Sequence, residues 1–296
     1  MNVGAQPLRR ARTFALSATT FRRLTVANAA MLVLIIATGA TVRLTGSGLG
    51  CEHWPGCAQH HFEPRSFHSD IEFGNRVVAF FTILITLTTW VAARFARATS
   101  RVRLVTLVVF LGTLAQAPLG AITIHYHLNP WLVLSHFLLS IVVLTLAVAL
   151  AVDVRPRSLD RVPGWVRLGA VGVWVALSVL IVSGTLATAS GPHPGSTVVR
   201  RLWSFEPAVY WHVRATAAFG ISFAVLLAWL VRRRSKHVRG ALVVLGLLAV
   251  QMTIGEVQYR THLPWWLVLA HVTTAATVWS AATAFVFALW RPVRPA

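Results

Sequence analysis

Three histidines, His136, His212 and His271, lie about four to seven residues inside long apolar runs. At 1.5 Å per helical residue that is a depth of roughly 6–10 Å, where polar groups are costly and tend to serve function. His212 and His271 occupy the second and fourth runs of the chain's second half, an arrangement suited to clamping a planar metal macrocycle between facing helices. Interhelical hydrogen bonding between two histidines is the plain alternative; bis-histidine haem ligation is the expectation. In the first half His136 has a counterpart not in a histidine but in Asn75, within the segment I-E-F-G-N-R. A haem held there by His136 alone has a weak or vacant sixth position, as substrate chemistry prefers. One structural or electron-transferring haem and one reactive haem are therefore expected.

Glu72 and Asn75 are three residues apart and share a helix face, with Arg76 beside them. Glu72 is the acid placed to move a proton or to stabilise a carbocation; a carboxylate simply paired with Arg76 is the bland reading. Arg43, Arg76 and Arg214 close the outer ends of helices and are candidates to pair with haem propionates, against ordinary snorkelling to headgroups. Cys51 and Cys57, in G-L-G-C-E-H-W-P-G-C, form either a loop staple or a redox pair; an oxidising exterior favours a disulfide. Gln116 and Gln251 are expected to bond neighbouring helices, and Glu256 to be interfacial. Histidines 53, 60, 61, 68, 125, 127, 193 and 262 fall in outer loops or at their edges, where solvated imidazole is expected.

These residues need a scaffold, and the composition supplies one. The 296 residues are 56% hydrophobic and 12% charged, enough for about eight spans at roughly 20 apolar residues each. Disorder, collagen-like repeats and coiled coil are excluded on composition. Apolar runs cover Leu24–Thr41, Gly74–Phe95, Arg103–Ile122, Pro130–Val152, Trp165–Ala187, Pro207–Val231, Gly240–Val257 and Pro264–Trp290. The net charge of +19 suggests nucleic acid until its placement is read: 20 of the 27 basic residues fall in alternate segments, the positive-inside pattern. No nucleic acid is expected; a lipid bilayer is. Both termini should be cytoplasmic, and with no A-x-A site following, the first run reads as an uncleaved span rather than a signal peptide.

Gln116, Gly120, Leu128, Trp131, Leu132, Val133, Leu134 and His136 recur 135 residues later as Gln251, Gly255, Leu263, Trp266, Leu267, Val268, Leu269 and His271. The expected architecture is an all-α integral membrane protein of eight transmembrane helices, two tandem four-helix bundles in parallel internal repeat about an axis along the membrane normal. Its parts are a cytoplasmic segment 1–23, a first bundle 24–152 for the substrate, a cytoplasmic linker 153–164, a second bundle 165–290 and a cytoplasmic tail 291–296.

The motifs T-G-A-T-V-R-L-T-G-S-G-L-G-C-E-H-W-P-G-C (38–57), I-E-F-G-N-R (71–76), W-L-V-L-S-H-F (131–137), Y-W-H-V-R (210–214) and W-L-V-L-A-H (266–271) together closely resemble the haem A synthase (Cox15/CtaA) family over nearly the whole chain. The resemblance implies an enzyme that oxidises the C8 methyl of haem O to the formyl group of haem A, in two successive oxidations, for terminal oxidases. It implies haem b on His212 and His271, substrate haem O on His136, catalysis at Glu72 and a functional pair at Cys51 and Cys57. Asn75 departs from the histidine many members carry there, and 188–206 lacks a second cysteine pair; a lightly occupied or open face opposite His136 is expected. Competing readings are a di-haem cytochrome that relays electrons and a haem carrier or assembly factor. Expected partners are haem O, an electron acceptor and, from pathway order, haem O synthase; a homo-oligomer is compatible with the sequence. Compact loops favour a bacterial plasma membrane, with the active face outward.

Overall fold

The computed structural model describes residues 16–51, 53, 56–57, 63–64, 66–155, 161–196 and 199–291. Among the expected features, Arg65, His60, His61, the start of the N-terminal segment and parts of the linker and tail lie outside them. The described residues form eight helices and no strands: α1 Ala18–Leu44, α2 Phe67–Phe95, α3 Ser100–His125, α4 Pro130–Asp153, α5 Gly164–Ser190, α6 Phe205–Arg232, α7 Val238–Arg260 and α8 Trp265–Trp290. All eight are long and apolar enough to cross a bilayer, running about 35–44 Å at 1.5 Å per residue against a hydrocarbon core of roughly 30 Å. Backbone groups satisfied within each helix are what hydrocarbon demands, and large side chains such as Leu104, Ile221 and Val225 point outward, exposed.

Helix starts are set by polar caps upstream of the apolar runs. Ser66 accepts from Ser69 N–H in a capping box, so α2 begins seven residues before the run at Gly74 and takes Ser69 and Glu72 into the helix that already held Asn75. Ser17, Thr99 and Asn129 accept from first-turn N–H groups of α1, α3 and α4, and Pro130 opens α4, where a missing N–H costs nothing.

α1 to α4 pack as consecutive antiparallel neighbours closed by α1 against α4; α5 to α8 do likewise, closed by α5 against α8, with α6 and α7 only grazing. The two groups meet through α1 on α8, α4 on α5 and α4 on α8. Leu144 and Ala147 of α4, Leu177 of α5 and Trp279 and Ala282 of α8 share the buried core there. Indole N–H groups need partners there: buried Trp279 donates across to Thr145 Oγ1 of α4 at 2.9 Å, and half-buried Trp174 of α5 donates to Thr283 Oγ1 of α8 at 3.1 Å within the second group. The turns before α4 and α8 match, with His127–Leu128 and His262–Leu263 all at positive φ, a backbone uncommon for non-glycine residues.

Candidate functional site

His212 lies two turns into α6 and His271 a little under two turns into α8, with ring centres 6.4 Å apart. A metal between two imidazole nitrogens, each roughly 2 Å away, sets the ring centres about 6 Å apart. Ser183 of α5 fixes the first ring. Its single hydroxyl hydrogen goes to Leu180 O at 2.8 Å, so at 3.1 Å it accepts from His212 Nδ1–H. That tautomer leaves His212 Nε2 with its lone pair, the form a metal ligand needs. On the other side the Gln251 amide nitrogen donates to His271 Nε2 at 3.0 Å, while His271 Nδ1 and Gln251 Oε1 are buried without partners. Accepting from Gln251 puts the His271 proton on Nδ1 and engages its Nε2 lone pair, so ligation of a metal through Nε2 requires the Gln251 amide to swing aside.

Glycines seat both rings. A β-carbon at Gly184 would stand 2.9 Å from His212 Cε1, and one at Gly255 3.0 Å from His271 Cε1. The first half repeats the pattern more loosely: a β-carbon at Gly120 would lie 3.6 Å from His136 Cε1, and one at Gly39 3.9 Å from Asn75 Oδ1. Again the histidine Nδ1 and the glutamine Oε1, here of His136 and Gln116, are buried orphans. Gln116 donates instead to Ser140 Oγ at 2.9 Å; the residue 135 positions later is Ala275, which leaves Gln251 to reach the ring. Asn75 Oδ1, the atom with which the side chain would approach a metal, accepts from Thr38 of α1 at 2.7 Å.

Glu72 is 4% exposed and both its oxygens are engaged. Oε2 accepts from Cys51 N–H at 2.9 Å and Oε1 from Arg76 at 2.5 Å. Arg76 also donates to the carbonyls of His53, at 2.7 Å, and Gly56. Cys51 and Cys57 are joined in a disulfide, so the small loop it closes is fastened to α2 through one carboxylate and one guanidinium. The glycines before it let the chain in: Gly46 has φ +70°, and a β-carbon at Gly50 would strike His68 O at 2.5 Å. Ser47 bonds His68 at 2.9 Å.

The other arginines behave differently. Arg43 donates from Nε to His193 O at 3.0 Å and from a terminal nitrogen to Thr188 O at 2.8 Å, tying α1 to the last turn of α5 and the loop after it. Gly48 N–H donates to Gly195 O, and His193 Nε2 to Leu263 O at 2.8 Å. His193 is thus half-buried and bonded where a solvated ring was expected, because this strap folds it against the turn before α8. His53, His125, His127 and His262 are exposed as expected. Arg214 lies over the Tyr210 ring, 3.4 Å from its centre. Glu256 pairs with Arg260 on the exposed surface. The sequence carried no local signal for His193; Gly120, Gly255 and Leu263 stood out through the 135-residue recurrence, and Gly39 and Gly184 as a weaker echo of each other.

Among the described residues no cluster of three or more His, Cys, Asp or Glu converges as a metal cage. An iron carried in a macrocycle asks the protein for axial ligands only, and the facing histidines meet that demand through His212 Nε2 as placed and through His271 Nε2 once Gln251 moves off it. Fold and site together define a multi-pass helical membrane protein with histidine positions set between helices near one end of each helix group. The family profile described as "Cytochrome oxidase assembly protein", COX15-CtaA, matches residues 22–70 and 61–283, and the chain belongs to that family. It is 25% identical over 314 residues to the protein named Heme A synthase of Shewanella oneidensis, covering 87% of this chain and 93% of that one. Against the one of Symbiobacterium thermophilum it is 26% identical over 259 residues, covering 79% and 84%. Against the one of Geobacillus thermodenitrificans it is 33% identical over 126 residues, 42% of this chain, so the match spans only 40% of that relative's length.

Proposed function

We propose that the chain is a haem A synthase, an oxidoreductase that converts the C8 methyl of haem O to a formyl group in a bacterial plasma membrane. The observation that carries the reading is the inequality of two otherwise similar seats: His212 faces His271, whereas His136 is matched by an asparagine whose oxygen is bound to Thr38. A haem b on His212 and His271 would supply electron transfer. Substrate haem O belongs with His136, its opposite face left to water or to the reaction.

In this reading the bundles 24–152 and 165–290 are tandem halves, both termini are cytoplasmic and the two seats lie toward the outer side. Twenty basic residues in the alternate, inner segments support that orientation. Glu72 holds a negative charge or takes a proton beside the methyl carbon, and Arg76 and the Cys51 N–H keep its carboxylate in place. Converting the methyl to a formyl group adds one oxygen from water and releases four electrons and four protons; an electron acceptor outside the chain takes the electrons. Arg214, lying over Tyr210, is the guanidinium placed to meet a propionate, whereas Arg43 and Arg76 already serve backbone carbonyls.

The test is mass analysis of haems extracted from membranes expressing the chain with a haem O source, beside a His136→Ala control. Haem A or its hydroxylated intermediate, lost in the control, supports the synthase. Unmodified haem at full occupancy, with an electron acceptor present, overturns it in favour of an electron relay or a haem carrier.

A further inference from the structure

The buried face of α2 is polar or small throughout: Ser69, Glu72, Thr82, Thr86, Thr89, Ala92 and Ala93. Seven, eleven and fourteen residues inward from Asn75 stand Thr82, Thr86 and Thr89; the same steps from His212 on α6 reach Phe219, Phe223 and Leu226, all buried. Where one helix group is filled by two phenyl rings, the other has hydroxyls and less side-chain volume.

At the level of this stripe α1 carries Asn28, fully buried, with neither Oδ1 nor Nδ2 bonded to anything. Its level is set by two antiparallel contacts between α1 and α2, Thr38 to Asn75 toward one end and Leu16 N–H to Phe95 O toward the other. Interpolating between them places Asn28 opposite residues 83–85, between Thr82 and Thr86, and Thr25 opposite residues 86–88, between Thr86 and Thr89. The threonine hydroxyl hydrogens are spent on their own helices: Thr25 on Arg22 O, Thr82 on Val78 O, Thr86 on Ile83 O and Thr89 on Ile85 O. Their oxygens keep accepting lone pairs, while Asn28 offers two donors and an acceptor. Phe21, Ala93, Val102 and Leu150 pack together at the end nearer Leu16 and Phe95 and close the seam there.

We infer that this seam is a binding site for ordered water, held by Asn28 between α1 and α2. A cation would answer the oxygens and repel the amide N–H group; water donates to the threonine oxygens and Asn28 Oδ1 and accepts from Nδ2, meeting every unmet demand. The water links the two helices that carry Thr38 and Asn75, and it sits in the helix group whose seat is incomplete. The inference does not depend on the haem reading.

X-ray radiolytic labelling tests it, since trapped water generates hydroxyl radicals beside its neighbours. In the purified full-length chain in nanodiscs, Leu32, one turn from Asn28 and 4% exposed, should be oxidised at least fivefold faster than Phe219 and Phe223, although phenyl rings are intrinsically more reactive. Asn28→Leu should bring Leu32 down to their level. Equal silence at Leu32 and the two phenylalanines in the unsubstituted chain overturns the site. A cryo-EM map at water-resolving resolution decides independently of any variant: density bridging both amide atoms supports it, and an Asn28 amide bonded directly to Thr86 with no density overturns it.

Discussion

The backbone of Gly184 lies flush against His212, so that a β-carbon there would stand 2.9 Å from Cε1. The ring is thereby pressed into one position, and Ser183, the preceding residue, fixes its tautomer. Gly184→Val should displace the imidazole and lower the low-spin haem absorbance of the second seat about tenfold in reduced-minus-oxidised spectra. Gly246→Ala, on α7 with open space around it, should leave the spectrum unchanged and stabilise its helix by about 1 kcal/mol.

Asn75→His should convert the first seat into a match for the second. Thr38 loses its bonded oxygen and His136 gains a facing imidazole. The expected result is a second low-spin bis-histidine signal in electron paramagnetic resonance and a drop of at least tenfold in haem O conversion. An unchanged spectrum would show that residue 75 does not face the iron.

Glu72→Ala should leave haem bound, reduce conversion by roughly a hundredfold, in line with loss of a general acid–base group, and free the Cys51 N–H. Glu72→Gln keeps an oxygen for one of the two donors, so its loop should stay protected from protease while conversion falls. If Glu72→Gln converts haem O at the native rate, the carboxylate serves only to hold the loop.

Cys57→Ser opens the loop that Arg76 and Glu72 hold. Protease sensitivity between residues 51 and 66 should rise and haem O conversion should fall several-fold. The second-seat spectrum should not move, because neither His212 nor His271 bonds to this loop.

Arg43→Gln removes two bonds, one from α1 to the last turn of α5 and one to the loop after it. Charge-assisted hydrogen bonds contribute about 1.5–3 kcal/mol each, so the thermal midpoint should fall by several degrees. Haem content measured below that midpoint should stay near normal. A variant that loses haem without losing stability would place Arg43 on a propionate after all.

Eight helices were legible because each apolar run has at least 18 residues, long enough to read as a span, and His136, His212 and His271 were legible because a polar ring is conspicuous inside such a run. The ends were not. α2 starts at Phe67 because a serine capping box, invisible to hydropathy, carries F-H-S-D-I-E-F into the helix. Arg43 read as a propionate partner, since its bonded carbonyls lie 145 and 150 residues away and a carbonyl has no sequence signature. The Thr82, Thr86 and Thr89 spacing was present in the sequence, but threonines that bond their own helix pass for neutral filler within an apolar run.

The Arg43 clamp also imposes an order on biogenesis. The ribosome delivers α1 some 145 residues before Thr188 exists, so during most of synthesis the guanidinium has no protein carbonyl to serve and must wait among headgroups and water. Docking of α5 and its following loop onto this arginine therefore comes only after the first helix group has been made. A chain truncated before residue 188 would remain correctly threaded yet unlatched, a substrate for membrane quality control rather than a half-sized protein.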